Sequence, residues 1–517
     1  MEDLENQSPS LKDPGFKESQ TSADNVSTGS AKYQEYRVFQ KFERFAETIN
    51  AEVRGIDRVP EYERTDTSYW NPATMWLGGN MVVPTFALGT LGITLFFLSF
   101  WDAVLCIIFF NLLGALAVAY YSTFGPIFGL RQMVLSRFWF GYQTVRFIAF
   151  INCIACVGWS AVNTMVSAQM LHTVNNGGLP PWAGVLVISA ATLVISFFGY
   201  RVVHTFEKYS WIPTFAIFII VAVRMAKSHA FDFGVSGSGP TEAASVLSFG
   251  GTIFGFAVGW SSYASDYTVY MPVNANRYKI FFGVLVGLMF PLTFGMILGA
   301  ACATGINNTN YPQFAANYAA NSVGGLLYAI LVEDSLHGFG QFCQVMLAIS
   351  TIANNIPNMY SLALSAQTVW SGFRKVPRVI WTIIGTGLAI AIAIPAYYHF
   401  ENVMQDFMDI IGYWLAIYSA VLLNEHFIYK KGKFSNYRPE LYDDKSYLAV
   451  GYSAAFAFAC GIAGAVSGMS QVWYVGRIAI KIGGPPYGGD IGFELAFAFA
   501  TIGYNMVRWL EIRLTGR

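Results

Sequence analysis

The sequence predicts an all-α polytopic membrane protein with twelve transmembrane helices, and three observations predict it. Of 517 residues, 54% are hydrophobic and 12% charged, half the roughly one quarter charged in soluble domains. Apolar runs recur along the chain, each with the roughly 20 residues a helix needs to cross hydrocarbon. Two of those runs carry glycine pairs and polar groups at corresponding places in the order of spans, the pattern of discontinuous transporter helices. The formal net charge is zero, so there is no basic footprint for nucleic acid.

Residues 1–70 are polar and of mixed charge, and no signal peptide is expected before the first apolar run. Residues 1–30, rich in Ser, Asn, Asp, Glu and Lys, cannot bury enough apolar surface to fold and are predicted to be disordered. Tyr36-Arg37-Val38-Phe39-Gln40-Lys41-Phe42 predicts a short amphipathic segment approaching the membrane. Spans 1 to 12 are expected near 75–98, 102–122, 144–172, 182–199, 209–227, 248–270, 280–303, 338–368, 379–397, 404–428, 447–468 and 489–509. Residues 71–428 thus form a ten-helix core, 429–510 a loop and two further helices, and 511–517 a short tail.

Charge in the loops predicts the orientation. Arg131 and Arg137, Arg201 and Lys208, Arg277 and Lys279, and Arg374, Lys375 and Arg378 lie in alternate loops. The 10–11 loop adds Lys430, Lys431, Lys433, Arg438 and Lys445. The opposite loops are poorer in cations, with Arg224, Lys227, Arg477 and Lys481 the exceptions. The bias puts both termini in the cytoplasm, and the sequon Asn307-Asn308-Thr309 outside.

Span 1 holds Trp76-Leu77-Gly78-Gly79-Asn80 and then Pro84 and Thr85; span 6 holds Gly250-Gly251, Gly255, Gly259 and a hydroxyl cluster ending in Asp266. If the first ten helices are two five-helix repeats, these spans correspond, and such paired breaks point to a substrate site. Small-residue packing also explains Gly251, Gly255 and Gly259, but not Asn80, Pro84 and Thr85. In span 3, Trp159 and Asn163 share a helix face. An indole with an amide one turn away suits a flat, hydrogen-bonding ligand. Span 8 contains Ser350-Thr351 and Asn354-Asn355-Ile356-Pro357-Asn358, amides that are hard to bury unless they line a cavity.

Acids within spans are few. Asp266 near the end of span 6 is the candidate proton relay; Asp406 and Asp409, opening span 10, and Glu425, closing it, are read as helix-end charges. Cys153 and Cys156 lie in an apolar helix with no second pair and are read as packed thiols. No phosphate loop, metal motif or Ser/His/Asp set exists, so neither an enzyme, a cofactor nor a metal site is expected.

Three separated motifs carry a resemblance: Trp76 to Asn80, Gly129-Leu130-Arg131-Gln132-Met133-Val134-Leu135-Ser136-Arg137, and Asn354 to Asn358. Over residues 70–510 the chain resembles fungal purine–cytosine permeases of the nucleobase–cation symporter family. The resemblance implies a LeuT-like fold of two inverted five-helix repeats plus two C-terminal helices. It implies a plasma-membrane carrier of cytosine, adenine, guanine and hypoxanthine, coupled to protons and working by alternating access. Trp159 would stack on the base, Asn163 would bond its edge, and Trp260, beside Gly259, would stack from span 6. Thr85 matches a position where relatives often carry Ser; Asn354, Asn355 and Asn358 match the helix 8 amides, and Pro357 would shape that segment. In bacterial relatives sodium is held by helix 1 carbonyls and a helix 8 pair that Ser350 and Thr351 would match; the fungal branch uses protons, for which Asp266 is the candidate. Carriers of allantoin, uracil, thiamine or pyridoxine share the fold and remain alternatives, as does, in another class, a membrane receptor or enzyme.

Overall fold

With no water in hydrocarbon to satisfy its amides, a chain this apolar closes its backbone hydrogen bonds within helices. A computed structural model describes residues 55–174, 177–197 and 200–517. The predicted disordered stretch and the amphipathic segment near Tyr36 lie outside the described residues.

Each expected span coincides with a helix or a broken pair. Span 1 is Trp70–Asn80 followed by Val83–Thr94, span 2 Phe100–Ser122, span 3 Arg137–Val174, span 4 Pro181–Phe197 and span 5 Tyr200–Ser228. Span 6 is Pro240–Val258 continued by a 3-10 segment Gly259–Tyr267; span 7 is Arg277–Thr304 and span 8 His337–Val369. Arg378–Ala396, Phe400–Asn424, Tyr452–Gly468 and Gly492–Thr515 complete the order as spans 9 to 12. By length and composition, seven described helical stretches can cross a membrane, eight with the bent pair of span 1, while Pro181–Ser196 and Tyr452–Gly468 are shorter apolar helices.

Four features differ from expectation. The 7–8 loop contains a helix, Pro312–Leu331, interrupted at Asn321 and Ser322; its Asn, Gln and Tyr content hid it from a search for apolar runs. Spans 9 and 10 are joined only by the turn Tyr397–His399. Span 10 therefore starts earlier than expected, and Asp409 is a buried group inside it rather than a helix-end charge. Glu425 is likewise buried and receives Arg508 Nε at 2.9 Å and Nη2 at 3.0 Å. The last helix continues to Thr515, into residues assigned to a tail, because Glu511 accepts from the amides of Gly451, Tyr452 and Ser453 and so anchors the start of span 11.

The packing has an internal symmetry. Span 1 packs on span 7 and span 2 on span 6; span 3 packs on span 9 and span 4 on span 8. The 1–7 and 2–6 contacts, and likewise the 3–9 and 4–8 contacts, are counterparts with the roles of the two halves exchanged, as two like repeats require. Two groups result: spans 1, 2, 6 and 7, and spans 3, 4, 8 and 9. Glycines set the closeness of the first group. A Cβ on Gly89 would lie 1.9 Å from the Met296 carbonyl oxygen, and one on Gly299 2.0 Å from that of Phe86. Such approaches replace the hydrophobic drive that helices lack in lipid.

Candidate functional site

The two groups meet where span 1 breaks. Trp70–Asn80 and Val83–Thr94 are bent by 56°. Val82 is extended (φ −144°, ψ 160°) and Pro84 sits in the first turn of the second half, where its missing N–H is no loss. Side chains meet the freed backbone groups. Asn354 Nδ2 donates to the Gly79 carbonyl at 2.6 Å, Thr85 Oγ1 to that of Asn80 at 2.7 Å, and the Val83 amide to Ser350 Oγ at 3.3 Å. Two of these three partners come from span 8, so the break is bonded across the junction between the groups. Gly79 is buried, yet a Cβ there would meet no atom within 4 Å. An internal space adjoins the break.

The amides converge beside it. Asn163 Nδ2 donates to Asn354 Oδ1 at 2.7 Å and to Asn355 Oδ1 at 2.8 Å. Asn358 Nδ2 donates to the Asn354 carbonyl at 2.9 Å, and its Oδ1 accepts from Tyr263 at 3.0 Å. All four asparagines are buried. Pro357 lies inside a helix that is not interrupted there; it withholds the amide that would bond the Ala353 carbonyl. One polar atom of the set is left over: Asn163 Oδ1 is buried and has no hydrogen-bond partner. The Trp76 indole N–H is in the same condition. An unpaired buried acceptor costs about 1–3 kcal/mol, and a ligand donor can recover that.

The rings stand over this set. Trp159 and Trp260 lie nearly parallel, 15° apart, with centroids 6.2 Å apart. Trp159 is braced edge-on by Phe256 at 5.2 Å and Phe407 at 5.5 Å. Trp260 is braced by Trp76 at 5.2 Å and Tyr263 at 5.7 Å, and its N–H donates to Asn80 Oδ1 at 2.9 Å. A Cβ on Gly259 would come within 2.6 Å of Trp159 Cζ2, so only glycine lets that indole lie against span 6. The other glycines of span 6 divide between the two readings. Gly255 is a packing contact, its Cβ position 1.9 Å from the Met408 carbonyl oxygen, whereas Gly251 has nothing nearer than 3.9 Å.

The expected stacking and amide residues therefore form one connected set, with Thr85 reaching it through Asn80. The candidates for cation coupling are dispersed. Ser350 faces the break, but Thr351 faces span 3, 2.5 Å from Ser167 Oγ. Asp266 is buried in another network: its Oδ1 accepts from the Gln132 amide at 2.7 Å and its carbonyl from Arg131 Nη1 at 2.6 Å. Asn80 and Tyr263 are bonded into this set, though the sequence reading did not assign them. Asn80 stands in the motif of span 1, and Tyr263 lies three residues beyond Trp260, so both positions were legible. What was not legible was the direction of their side chains.

A second polar cluster was missed altogether. Asp409 accepts from Thr252 Oγ1 at 2.8 Å and Gln471 Nε2 at 2.9 Å; the same Gln471 nitrogen is 3.4 Å from Asp490, which also accepts from Tyr413. It joins spans 6 and 10 to the 11–12 loop. Gln471 sits in that loop with no periodicity to mark it, and so does Asp490, because the last helix starts at Gly492 and not at 489 as expected.

Known proteins resemble the chain throughout. Residues 58–483 match the model of a family described as permeases for cytosine/purines, uracil, thiamine, allantoin. The purine-cytosine permease FCY2 of Saccharomyces cerevisiae is 47% identical, the match covering 100% of this chain and 98% of that one. The purine-cytosine permease fcyB of Emericella nidulans is 49% identical over 96% and 97% of the two chains. The vitamin B6 transporter TPN1 of Saccharomyces cerevisiae is 30% identical over 91% and 89%. Among solved structures, Mhp1, a nucleobase-cation-symport-1 family transporter closed around bromovinylhydantoin, superimposes with a TM-score of 0.65. It covers 90% of this chain and 96% of its own, at 14% identity, a likeness of fold.

Proposed function

Because the chain belongs to the family of permeases for cytosine/purines, uracil, thiamine and allantoin, a family of transporters and not of enzymes, we propose that it imports cytosine and the purine bases adenine, guanine and hypoxanthine by proton symport. The observation that carries the substrate class is the pairing of two near-parallel indoles with an amide whose oxygen has no partner. A base stacks between Trp159 and Trp260 and donates an exocyclic amine to Asn163 Oδ1. Ring contact needs about 3.5 Å on each face, so the planes must stand about 7 Å apart, more than a centroid distance of 6.2 Å allows. Loading the base therefore opens this cleft. Asn354 and Asn355 hold Asn163 in the orientation that presents its oxygen, and Asn358 bonds the Asn354 carbonyl behind them. Cytosine, adenine and guanine offer that amine; hypoxanthine presents its ring amide. Uracil and thymine, with that edge rearranged, are poorer substrates.

Alternating access follows from the two helix groups moving about this junction, with the site near mid-membrane, the protein in the plasma membrane and both termini cytoplasmic. The driving ion is the proton. A sodium site would call for Ser350 and Thr351 together on span 1, and they face different helices. Asp266 is the coupling carboxylate of this reading, and Asp409 is the comparison group.

The test is uptake of radiolabelled cytosine in a permease-deficient yeast, with competing adenine, hypoxanthine, uracil, allantoin and pyridoxine, and with protonophore or sodium removal. Saturable cytosine uptake, blocked by the two purines and by protonophore, is expected. Competition by allantoin, uracil or pyridoxine instead would move the substrate within the family. Collapse on removing sodium, with survival in protonophore, would overturn proton coupling. Asn163→Ala is expected to lose uptake on the order of a hundredfold while reaching the surface, because a site built to bond an edge discriminates by several orders of magnitude. Asp266→Asn should make residual uptake insensitive to protonophore, and the same outcome from Asp409→Asn alone would transfer the role.

A further inference from the structure

A basic pocket lies away from the substrate site, where the start of span 3, the 8–9 loop and the 10–11 loop meet. It has a volume of about 250 Å³ and is lined by Arg137, Tyr142, Arg146, Arg374, Asp443 and Lys445, together with two hydroxyl residues. Four cations thus surround one carboxylate. Asp443 is committed to two of them, Arg137 Nη1 at 2.9 Å and Arg374 Nη2 at 3.1 Å. Arg146 has a single side-chain bond, to Gln143 Oε1 at 3.1 Å. Among the described residues, neither Arg146 nor Lys445 has an acid within ion-pair distance. Of the other acids nearby, Asp57 accepts from Tyr442 and lies close enough to act on the Arg374 charge, and Asp444 accepts from the Ser446 amide and hydroxyl.

The arrangement is organised rather than a scatter of surface charge. Three of the cations gather round one ring: Lys445 Nζ is 5.1 Å from the Tyr142 centroid, and the Arg137 and Arg146 guanidinium carbons are each 5.6 Å from it. Arg137 is almost fully buried. The Arg374 Nε is buried without a hydrogen-bond partner. Packing like charges this closely is unfavourable unless an anion joins them. The volume equals the share of roughly eight liquid waters at about 30 Å³ each, enough for a phosphate with its oxygens on two guanidinium forks. The three segments are also those whose Lys and Arg content directs them to the cytoplasm, where the leaflet carries anionic lipid.

We propose that this pocket binds a phosphate group, carried by the headgroup of a cytoplasmic-leaflet lipid or free in solution. By tying span 3 to the loops after spans 8 and 10, the phosphate would brace one helix group at its cytoplasmic end.

The full-length protein in phosphatidylcholine nanodiscs serves as the test, read by native mass spectrometry for retained lipid and by thermal unfolding. One arm adds phosphatidylserine or phosphatidylinositol bisphosphate to the disc; another adds inositol trisphosphate or inorganic phosphate to the buffer. The bisphosphate lipid is expected to be retained and to raise the unfolding temperature. Arg146→Gln with Lys445→Gln should weaken retention roughly 30-fold, two charges being removed, and Lys445→Gln alone about fivefold. Arg513→Gln, an exposed cation on the last helix, should leave retention unchanged. Stabilisation by the soluble phosphates without lipid retention would keep the site and make its ligand soluble. Equal retention and equal unfolding temperature in wild type and both variants, with every ligand, would overturn the proposal.

Discussion

Spans 1 and 6 hold corresponding places in the two repeats, yet they leave the α-helix in different ways. Span 1 bends by 56° with Val82 extended and a new helix starting at Val83, with Pro84 in its first turn. Span 6 only tightens, from α-helix to a 3-10 segment at Gly259. Proline explains the difference. It withdraws an amide and starts a new helix well, whereas the glycines of span 6 keep every N–H, so that 3-10 winding can continue the helix, with the Ser265 amide turned to Gln132 Oε1. The consequence is an asymmetry in what holds each segment. Span 1 must borrow partners, and it takes them from span 8 through Asn354 and Ser350. Span 6 takes its partners from span 2 and the loop after it, through Ser122, Gln132 and Arg131, and at Gly259 it offers a surface on which Trp159 can lie. One broken helix is fixed by hydrogen bonds across the junction between the two groups, the other by hydrogen bonds to its own group and by ring contact.

Four substitutions test that contrast. The largest effect is expected from Asn354→Ala, which removes the donor to Gly79 and an acceptor of Asn163. Uptake should fall on the order of a hundredfold, with stability lowered by about 1–3 kcal/mol for the orphaned carbonyl, measured by thermal unfolding in detergent. Wild-type uptake would mean that the break does not depend on span 8. Gly259→Ala comes next: a Cβ 2.6 Å from Trp159 must displace the indole, at about 1–3 kcal/mol for overpacking. On the proposed role of this ring in stacking on the base, KM should rise about tenfold while surface abundance holds. Ser350→Ala leaves the Val83 amide without its acceptor and should cost about 1 kcal/mol of stability, with uptake still independent of sodium. A new sodium response in wild type, lost in this variant, would restore the cation-site reading of Ser350. The smallest effect belongs to Thr85→Ser. The hydroxyl still reaches the Asn80 carbonyl, and only the methyl facing Gly295 is lost, so initial uptake rates should stay within about twofold, less than the 0.8 kcal/mol or so of a buried CH₂.

Much of the site was legible because chemistry and spacing coincide there. Trp159 and Asn163 share a face by periodicity, and the asparagines around Pro357 are too polar to bury without purpose. Other parts were hidden for definite reasons. Asp409 was taken for a helix-end charge because a hydropathy run begins at its first strongly apolar residue, not at the helix start. Helix Pro312–Leu331 was missed because its polar residues break the apolar run. Asp490 and Gln471 carry no pattern at all, since loop residues gain meaning only from what they touch.

Composition and run length alone determined that this chain is a helical membrane protein, because a backbone in hydrocarbon has few other ways to satisfy its amides. The proline and glycine placement determined where span 1 had to break. Only the tertiary structure decided who repairs that break, which amide oxygen is left for a ligand, and that Ser350 and Thr351 part company. Those outcomes depend on the direction of side chains from helices far apart in sequence, and direction is set by packing, which no local pattern encodes.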